Sequence, residues 1–167
     1  AAVNILYRVG ARNENPARTG FAHLFEHLMF RGTREIPNFD LPVQMACGDN
    51  NAFTNNDYTD FYITLPKDNL ETALWLESDR MEGLDITPAK LEAEKKVVIE
   101  EFRQRYLNQP YGDQTMLLRA LAYKVHPYRW AAIGLATDHI AGATLADVES
   151  FYRTHYRPSN AILSISA

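Results

Sequence analysis

Two histidines and a glutamate occur within five consecutive residues, His23-Leu24-Phe25-Glu26-His27. On a helix, side chains at positions i and i+4 lie one above the other, which brings both imidazoles within reach of a single Zn²⁺. Glu26 lies between them along the chain, so its carboxylate would stand beside the metal. These residue types at this spacing are suited to metal-assisted hydrolysis, in which a Lewis acid polarises a carbonyl and a carboxylate accepts a proton.

The residues around this motif predict a helix over about 19–30 that separates an apolar face from the histidine face. With Phe21 as zero and an advance of about 100° per residue, Leu24, Phe25 and Leu28 cluster near zero. The two histidines and the glutamate fall together on the opposite arc. The order His-x-x-Glu-His is that of the inverted zinc-peptidase motif. The alternative is a surface face that carries these residues by coincidence, and a third ligand elsewhere in the chain would decide against it.

Length and composition indicate one globular domain, residues 1–167, with a core of ordinary size. Apolar residues make up 46% of the chain and charged residues 23%. The net charge of −4 and the lack of a Lys/Arg cluster give no reason to expect nucleic acid as a partner. No apolar run is long enough to span a membrane. The single Cys47 excludes an internal disulfide, and we expect it to be a small buried residue near a loop.

Alternation of apolar residues, together with capping and turn signals, places the remaining elements. Strands are predicted at 2–10, 51–54, 58–65 and 161–166. Further helices are predicted at about 39–46, 68–81, 88–106, 110–125 and 144–156. Because strands and helices are mixed without a βαβ rhythm, the predicted fold is α+β, with helices packed against a mixed, mainly antiparallel sheet.

The helix that begins at Pro88 offers candidates for the third ligand. Its apolar stripe consists of Leu91, Val98 and Phe102. Glu94 and Glu101 flank that stripe at about 60° and 80° from its centre, whereas Glu92 and Glu100 point away from it. A carboxylate beside a buried stripe is costly unless it is paired or bound to a metal. Taken alone, ordinary glutamates at the edge of a polar face are the better interpretation. Together with the histidine pair, a metal site becomes the better one.

Three further stretches are informative besides the helix with the histidine motif and the helix that begins at Pro88. They are His27-Leu28-Met29-Phe30-Arg31-Gly32-Thr33, Asn51-Ala52-Phe53-Thr54 and Tyr156-Arg157-Pro158-Ser159-Asn160-Ala161. In this order, and over nearly the whole chain, they resemble the pitrilysin / insulin-degrading enzyme / mitochondrial processing peptidase family of zinc metallopeptidases. The resemblance is greatest to the shorter bacterial members, and it leaves open whether the compartment is the periplasm or the cytoplasm.

The resemblance implies a role for each member of the motif. His23, His27 and Glu101 would bind one Zn²⁺, and Glu26 would be the general base that takes a proton from the attacking water. Glu94 would orient one of the metal ligands, without any indication of which one. The function so implied is hydrolysis of peptide bonds in peptides or unfolded segments.

The resemblance also implies where substrate binds. The stretch that contains Asn51, Ala52 and Phe53 would lie on a sheet edge near the zinc, where an extended peptide can add as a further strand. The alternative, given equal weight, is a plain hairpin whose asparagines serve turns.

Family members are much longer than this chain and close a chamber from paired domains. The resemblance therefore implies that these residues are the first, zinc-binding domain of a longer chain. Its partners would be the remaining domains or a homologous subunit, as well as a peptide substrate. Two alternatives stay open: a non-catalytic assembly subunit of the same fold, and a half-domain that is inactive without its partner domain.

Overall fold

The fold is built on four strands, and a computed structural model describes all 167 residues. The strands are β1 (Ala2–Tyr7), β2 (Asp49–Thr54), β3 (Thr59–Thr64) and β4 (Ala161–Ser166). They form one sheet in the order β2-β3-β1-β4, and every neighbouring pair is antiparallel. The predicted α+β fold with a mainly antiparallel sheet is therefore confirmed. The order leaves β2 and β4 as the two edge strands.

Seven helices accompany the sheet. They are α1 (Phe21–Leu28), α2 (Asp40–Met45), α3 (Leu70–Glu82), α4 (Pro88–Phe102), α5 (Gln114–Ala122), α6 (Thr137–Ala141) and α7 (Leu145–His155). Thr87 caps α4 by accepting a hydrogen bond from the Lys90 N–H, as the Thr-Pro start predicts. The short α6 was not predicted, because five residues are too few to reveal a helical period. None of the helices is both long and apolar enough to cross a membrane.

Two apolar clusters hold the helices on the sheet. The larger lies beneath α1, α4 and α7, where the ring of Phe25 stacks on those of Phe151, Tyr152 and Tyr156 at centroid distances of 5.0–5.9 Å. The smaller joins α2 and α3 to the sheet. Burial of one such phenylalanine contributes about 1.5–3 kcal/mol. The rings at the end of α7 and of the residue after it therefore fix the position of α1, the helix that carries the histidine motif.

Several details differ from the sequence predictions, and one is β1, which ends at Tyr7 rather than at residue 10. The regular part of α4 ends at Phe102, and the chain continues in a π-helical turn over Arg103–Leu107. Helix α5 ends at Ala122, and none of its residues is buried. Cys47 is exposed rather than buried, because it occupies the turn between α2 and β2 with a positive φ of 55°.

Candidate metal centre

The start of α1 is fixed by a buried carboxylate. Glu14 accepts hydrogen bonds from the backbone N–H groups of Gly20 and Ala22, both at 2.9 Å, and from Nε1 of Trp130 at 3.1 Å. Gly20 itself has a left-handed φ of 93°, and a Cβ there would lie 2.7 Å from the Ile133 carbonyl oxygen. Glu14 thus satisfies N–H groups that the first helical turn leaves unpaired, and it ties that turn to a distant segment.

This anchoring gives a stability prediction. Glu14→Ala leaves buried N–H groups without an acceptor, and each unpaired buried group costs about 1–3 kcal/mol. We therefore expect the free energy of unfolding, measured by urea denaturation, to fall by at least about 1 kcal/mol. The matched control is Glu35→Ala, at an exposed position. Equal stability of the two variants would contradict the anchoring role of Glu14.

Helices α1 and α4 bring two imidazoles and a carboxylate together. Nε2 of His23 lies 3.6 Å from Oε1 of Glu101, and Nε2 of His27 lies 3.3 Å from Oε2 of the same residue. The three residues each offer one ligand atom, and these atoms lie within 4.8 Å of one another. The set fits Zn²⁺, which binds imidazole nitrogen and carboxylate oxygen, and three protein ligands leave a fourth position open.

Glu94 lies behind one of the two histidines. Its Oε2 is 3.3 Å from Nδ1 of His27, on the ring nitrogen opposite the one that faces Glu101. Arg31 pairs with the other oxygen of Glu94. Burial raises the pKa of Glu94, but His27 and Arg31 outweigh it and hold that pKa below the ordinary value. Glu94 therefore contacts His27 and not His23, in the position from which a carboxylate can fix the tautomer and orientation of an imidazole ring.

The two histidines have opposite electrostatic environments. Burial lowers the pKa of His23 to about 4, although Glu101 acts in the other direction. Burial also disfavours charge on His27, but hydrogen bonds with Glu101 and Glu94 outweigh it and raise the pKa of His27 to about 9. Without a metal, His23 is therefore neutral at pH 7, whereas His27 is protonated and would have to release that proton for Nε2 to bind a metal.

Glu26 stands beside the histidines and faces the same groove. Burial raises its pKa, against the opposing effects of the Thr54 hydroxyl and His27. A raised pKa moves a carboxylate toward the range in which it works as a general base near neutral pH. The structure thus leaves Glu26 half-buried next to the three candidate ligands, in a position to exchange a proton.

The groove has a volume of about 700 Å³ and runs along the edge strand β2. Asn51, Ala52 and Phe53 all line it, together with the turn that follows them. The Ala52 N–H donates to the side-chain oxygen of Asn51 at 2.8 Å. All three residues singled out from the sequence for substrate contact therefore lie on the same groove as the histidines.

Sequence reasoning missed three residues that anchor α1 or contact the groove. Glu14 is buried near the start of α1, Arg105 forms an ion pair with Oε1 of Glu101 at 2.9 Å, and Arg119 lines the groove wall. Arg105 is four residues after Glu101, so helical spacing offered a signal for it. Arg119 contacts Asn56, which is 63 positions away, and no local pattern predicts such a contact.

Comparisons with known proteins agree with this geometry. The family model described as insulinase, peptidase family M16, matches residues 1–131. The zinc protease PqqE of Helicobacter pylori is 37% identical over 165 residues, which are 98% of this chain and 37% of that protein. The crystal structure of a protease from H. pylori has a TM-score of 0.93 at 37% identity, over 97% of this chain and 40% of that one.

A further solved structure is the first half of the periplasmic protease PqqL from Escherichia coli. It has a TM-score of 0.83 at 26% identity, and the match covers 97% of this chain and 36% of that one. The chain thus spans about two fifths or less of the length of the relatives that it matches. Because the family model matches most of its residues, the chain belongs to the insulinase family of peptidases, family M16.

Proposed function

We propose that this chain is the zinc-binding part of a metalloendopeptidase that hydrolyses peptide bonds in peptides or unfolded segments. The observation that carries the proposal is the convergence of His23, His27 and Glu101 from two helices, with Glu26 beside them on one open groove. Such a set contains both a metal-binding triad and a proton acceptor, which is what this hydrolysis needs.

Each residue has a separate task in the proposed mechanism. The chemistry that a bound Zn²⁺ supplies is Lewis-acid polarisation of the scissile carbonyl. Glu26 accepts the proton of the attacking water and then delivers it to the leaving amine. Glu94 holds the His27 ring by its Nδ1, so that Nε2 keeps its direction toward Glu101.

The substrate lies along β2 in this proposal. An edge strand has one row of backbone N–H and C=O groups that no neighbouring strand occupies, and an extended peptide can pair with that row. Asn51, Ala52 and Phe53 line the groove on this side. Because backbone pairing does not depend on side chains, substrates of varied sequence would bind.

The proposed enzyme includes more than these 167 residues. The relatives are between two and three times as long, so the rest of the polypeptide or a homologous subunit would complete the substrate chamber. A non-catalytic subunit of the same fold is the competing function. Such a subunit has no need of a half-buried carboxylate beside the triad, and the presence of Glu26 therefore favours the enzyme.

The test uses the full-length protein that carries this chain. We expect elemental analysis to find about one zinc per chain, in line with one three-ligand site. Hydrolysis of an internally quenched peptide should stop after chelation and return when zinc is restored. Protein that takes up no zinc, or hydrolysis that persists at the same rate after complete chelation, would contradict the proposal.

A further inference from the structure

The groove carries an unusual distribution of charge. Apart from the triad and Glu26, its charged lining consists of Arg105 and Arg119. The remaining lining is polar or apolar and uncharged, and it holds no further carboxylate. Arg105 pairs with Glu101, so Arg119 is the cationic side chain of the groove that has no acidic partner, in a chain whose net charge is −4. A cationic group that no carboxylate neutralises attracts ligands of negative charge to its part of a cleft.

Arg119 is held in place by uncharged partners. Its Nη1 donates to Oδ1 of Asn56 at 2.8 Å and to the carbonyl oxygens of Tyr128 at 3.1 Å and Trp130 at 3.4 Å. These bonds fix the guanidinium plane without neutralising its charge. The other two nitrogens of Arg119 make no hydrogen bond within the chain, and they are not among the buried atoms that lack a partner. They are therefore accessible from solvent.

The neighbouring charged groups are already engaged elsewhere. Arg105 pairs with Glu101 of the triad at 2.9 Å. Asp57, the acidic residue in the turn after β2, pairs with Arg12 at 3.1 Å and accepts the Tyr128 hydroxyl at 2.6 Å. No carboxylate lies within 4.0 Å of an Arg119 nitrogen. Arg119 thus keeps a preorganised guanidinium whose charge no residue of the chain neutralises.

The position of Arg119 relates it to a peptide on β2. Its partner Asn56 follows the end of β2 at Thr54 by two residues, so Arg119 stands at the end of the groove where β2 turns into β3. A peptide paired with β2 would run from the region of Asn51 toward this end. A side chain or the terminus of the peptide at this end of the groove would then contact the Arg119 guanidinium.

The geometry points to Arg119 as a specificity residue that binds a carboxylate of the peptide substrate. This inference rests on the proposed peptidase function and narrows it to peptides that carry an acidic group beyond the segment paired with β2. A planar guanidinium with free N–H groups binds carboxylate in a bidentate manner, which an ammonium does not reproduce. The carboxylate is that of an Asp or Glu side chain or that of the peptide C-terminus.

Binding is measured on the full-length, zinc-loaded protein with Glu26→Gln, which keeps peptides intact. Fluorescence anisotropy compares a labelled peptide that contains Glu with its Gln counterpart, both amidated at the C-terminus. A third peptide has Gln and a free C-terminal carboxylate. We expect one acidic peptide to bind about tenfold more tightly than the amidated Gln peptide, as charge-assisted hydrogen bonds predict. Which acidic peptide gains affinity identifies the source of the carboxylate.

Variants then test whether Arg119 is responsible. In Arg119→Gln the ratio of the affinities for the acidic and the amidated Gln peptide should fall to about one. Arg119→Lys should give an intermediate ratio, because lysine keeps the charge but lacks the planar guanidinium. Arg153→Gln is the matched control, since Arg153 is exposed and lines a different depression. If thermal melting shows that Arg119→Gln does not fold, the comparison uses wild type and Arg119→Lys, and an equal affinity ratio in these two would contradict the role of the guanidinium.

The outcomes separate this inference from the proposed function. Neutral and acidic peptides that bind and are cleaved equally well would overturn the role of Arg119 and leave the peptidase intact. An acidic preference that survives unchanged in folded Arg119→Gln would also overturn it. If zinc-loaded wild-type protein binds and cleaves no peptide at all, the proposed function fails and the inference falls with it.

Discussion

Replacing Glu26 with Gln is expected to lower kcat for peptide hydrolysis by about 10²–10⁴-fold, which is the usual contribution of a general base. Zinc content should not change, because Glu26 is not one of the three residues whose ligand atoms converge. The amide of Gln has nearly the shape of the carboxylate but cannot accept the proton of water at neutral pH. The loss should therefore appear in kcat, with little change in KM.

A second variant tests whether the position of the carboxylate matters as well as its presence. Glu26→Asp keeps the acid but withdraws it by one methylene, so its activity should fall between those of wild type and Glu26→Gln. Zinc analysis and single-turnover kinetics on the full-length protein make the comparison. Activity of Glu26→Gln within a few-fold of wild type, at equal zinc content, would exclude Glu26 as the base.

The two helices of the site illustrate what sequence periodicity predicts well. Along α4, Leu91 and Val98 are buried, Glu94 is 1% exposed, and Glu100 is exposed, as the helical wheel predicts. Along α1, the apolar positions are buried and the motif residues face the groove. Periodicity succeeds here because each helix is long enough to have a defined buried side. That side can be predicted without knowing which helix packs against it.

Relations between elements could not be predicted in the same way. The family resemblance implied that Glu94 supports a metal ligand, but its contact with His27 follows only from the packing of α4 against α1. The contacts of Glu14 with Trp130 and of Arg119 with Asn56 join residues 116 and 63 positions apart. Local patterns carry no information about such pairs, because the sheet order and the loop paths decide them.

The glutamates of α4 provide a graded test of the metal site within one helix. Glu101→Gln removes the charge of the proposed carboxylate ligand, and we expect the largest loss of zinc affinity from it. Glu94→Gln leaves the triad intact but weakens the support of His27 Nδ1, which typically costs about 10–100-fold in metal affinity. Glu100→Gln is the matched control, since its side chain points to solvent beside Glu101 and should leave zinc affinity unchanged.

Competition with a chromophoric chelator at fixed pH measures all three affinities on the full-length protein, and urea unfolding of the zinc-free forms shows whether the fold is retained. The expected order of loss is Glu101→Gln, then Glu94→Gln, then Glu100→Gln. A loss in Glu100→Gln equal to that in Glu101→Gln would mean that general helix charge, rather than ligation, holds the metal. A loss in Glu94→Gln as large as that in Glu101→Gln would instead make Glu94 a direct ligand, because support of a ring through its far nitrogen cannot contribute as much as a metal–oxygen bond.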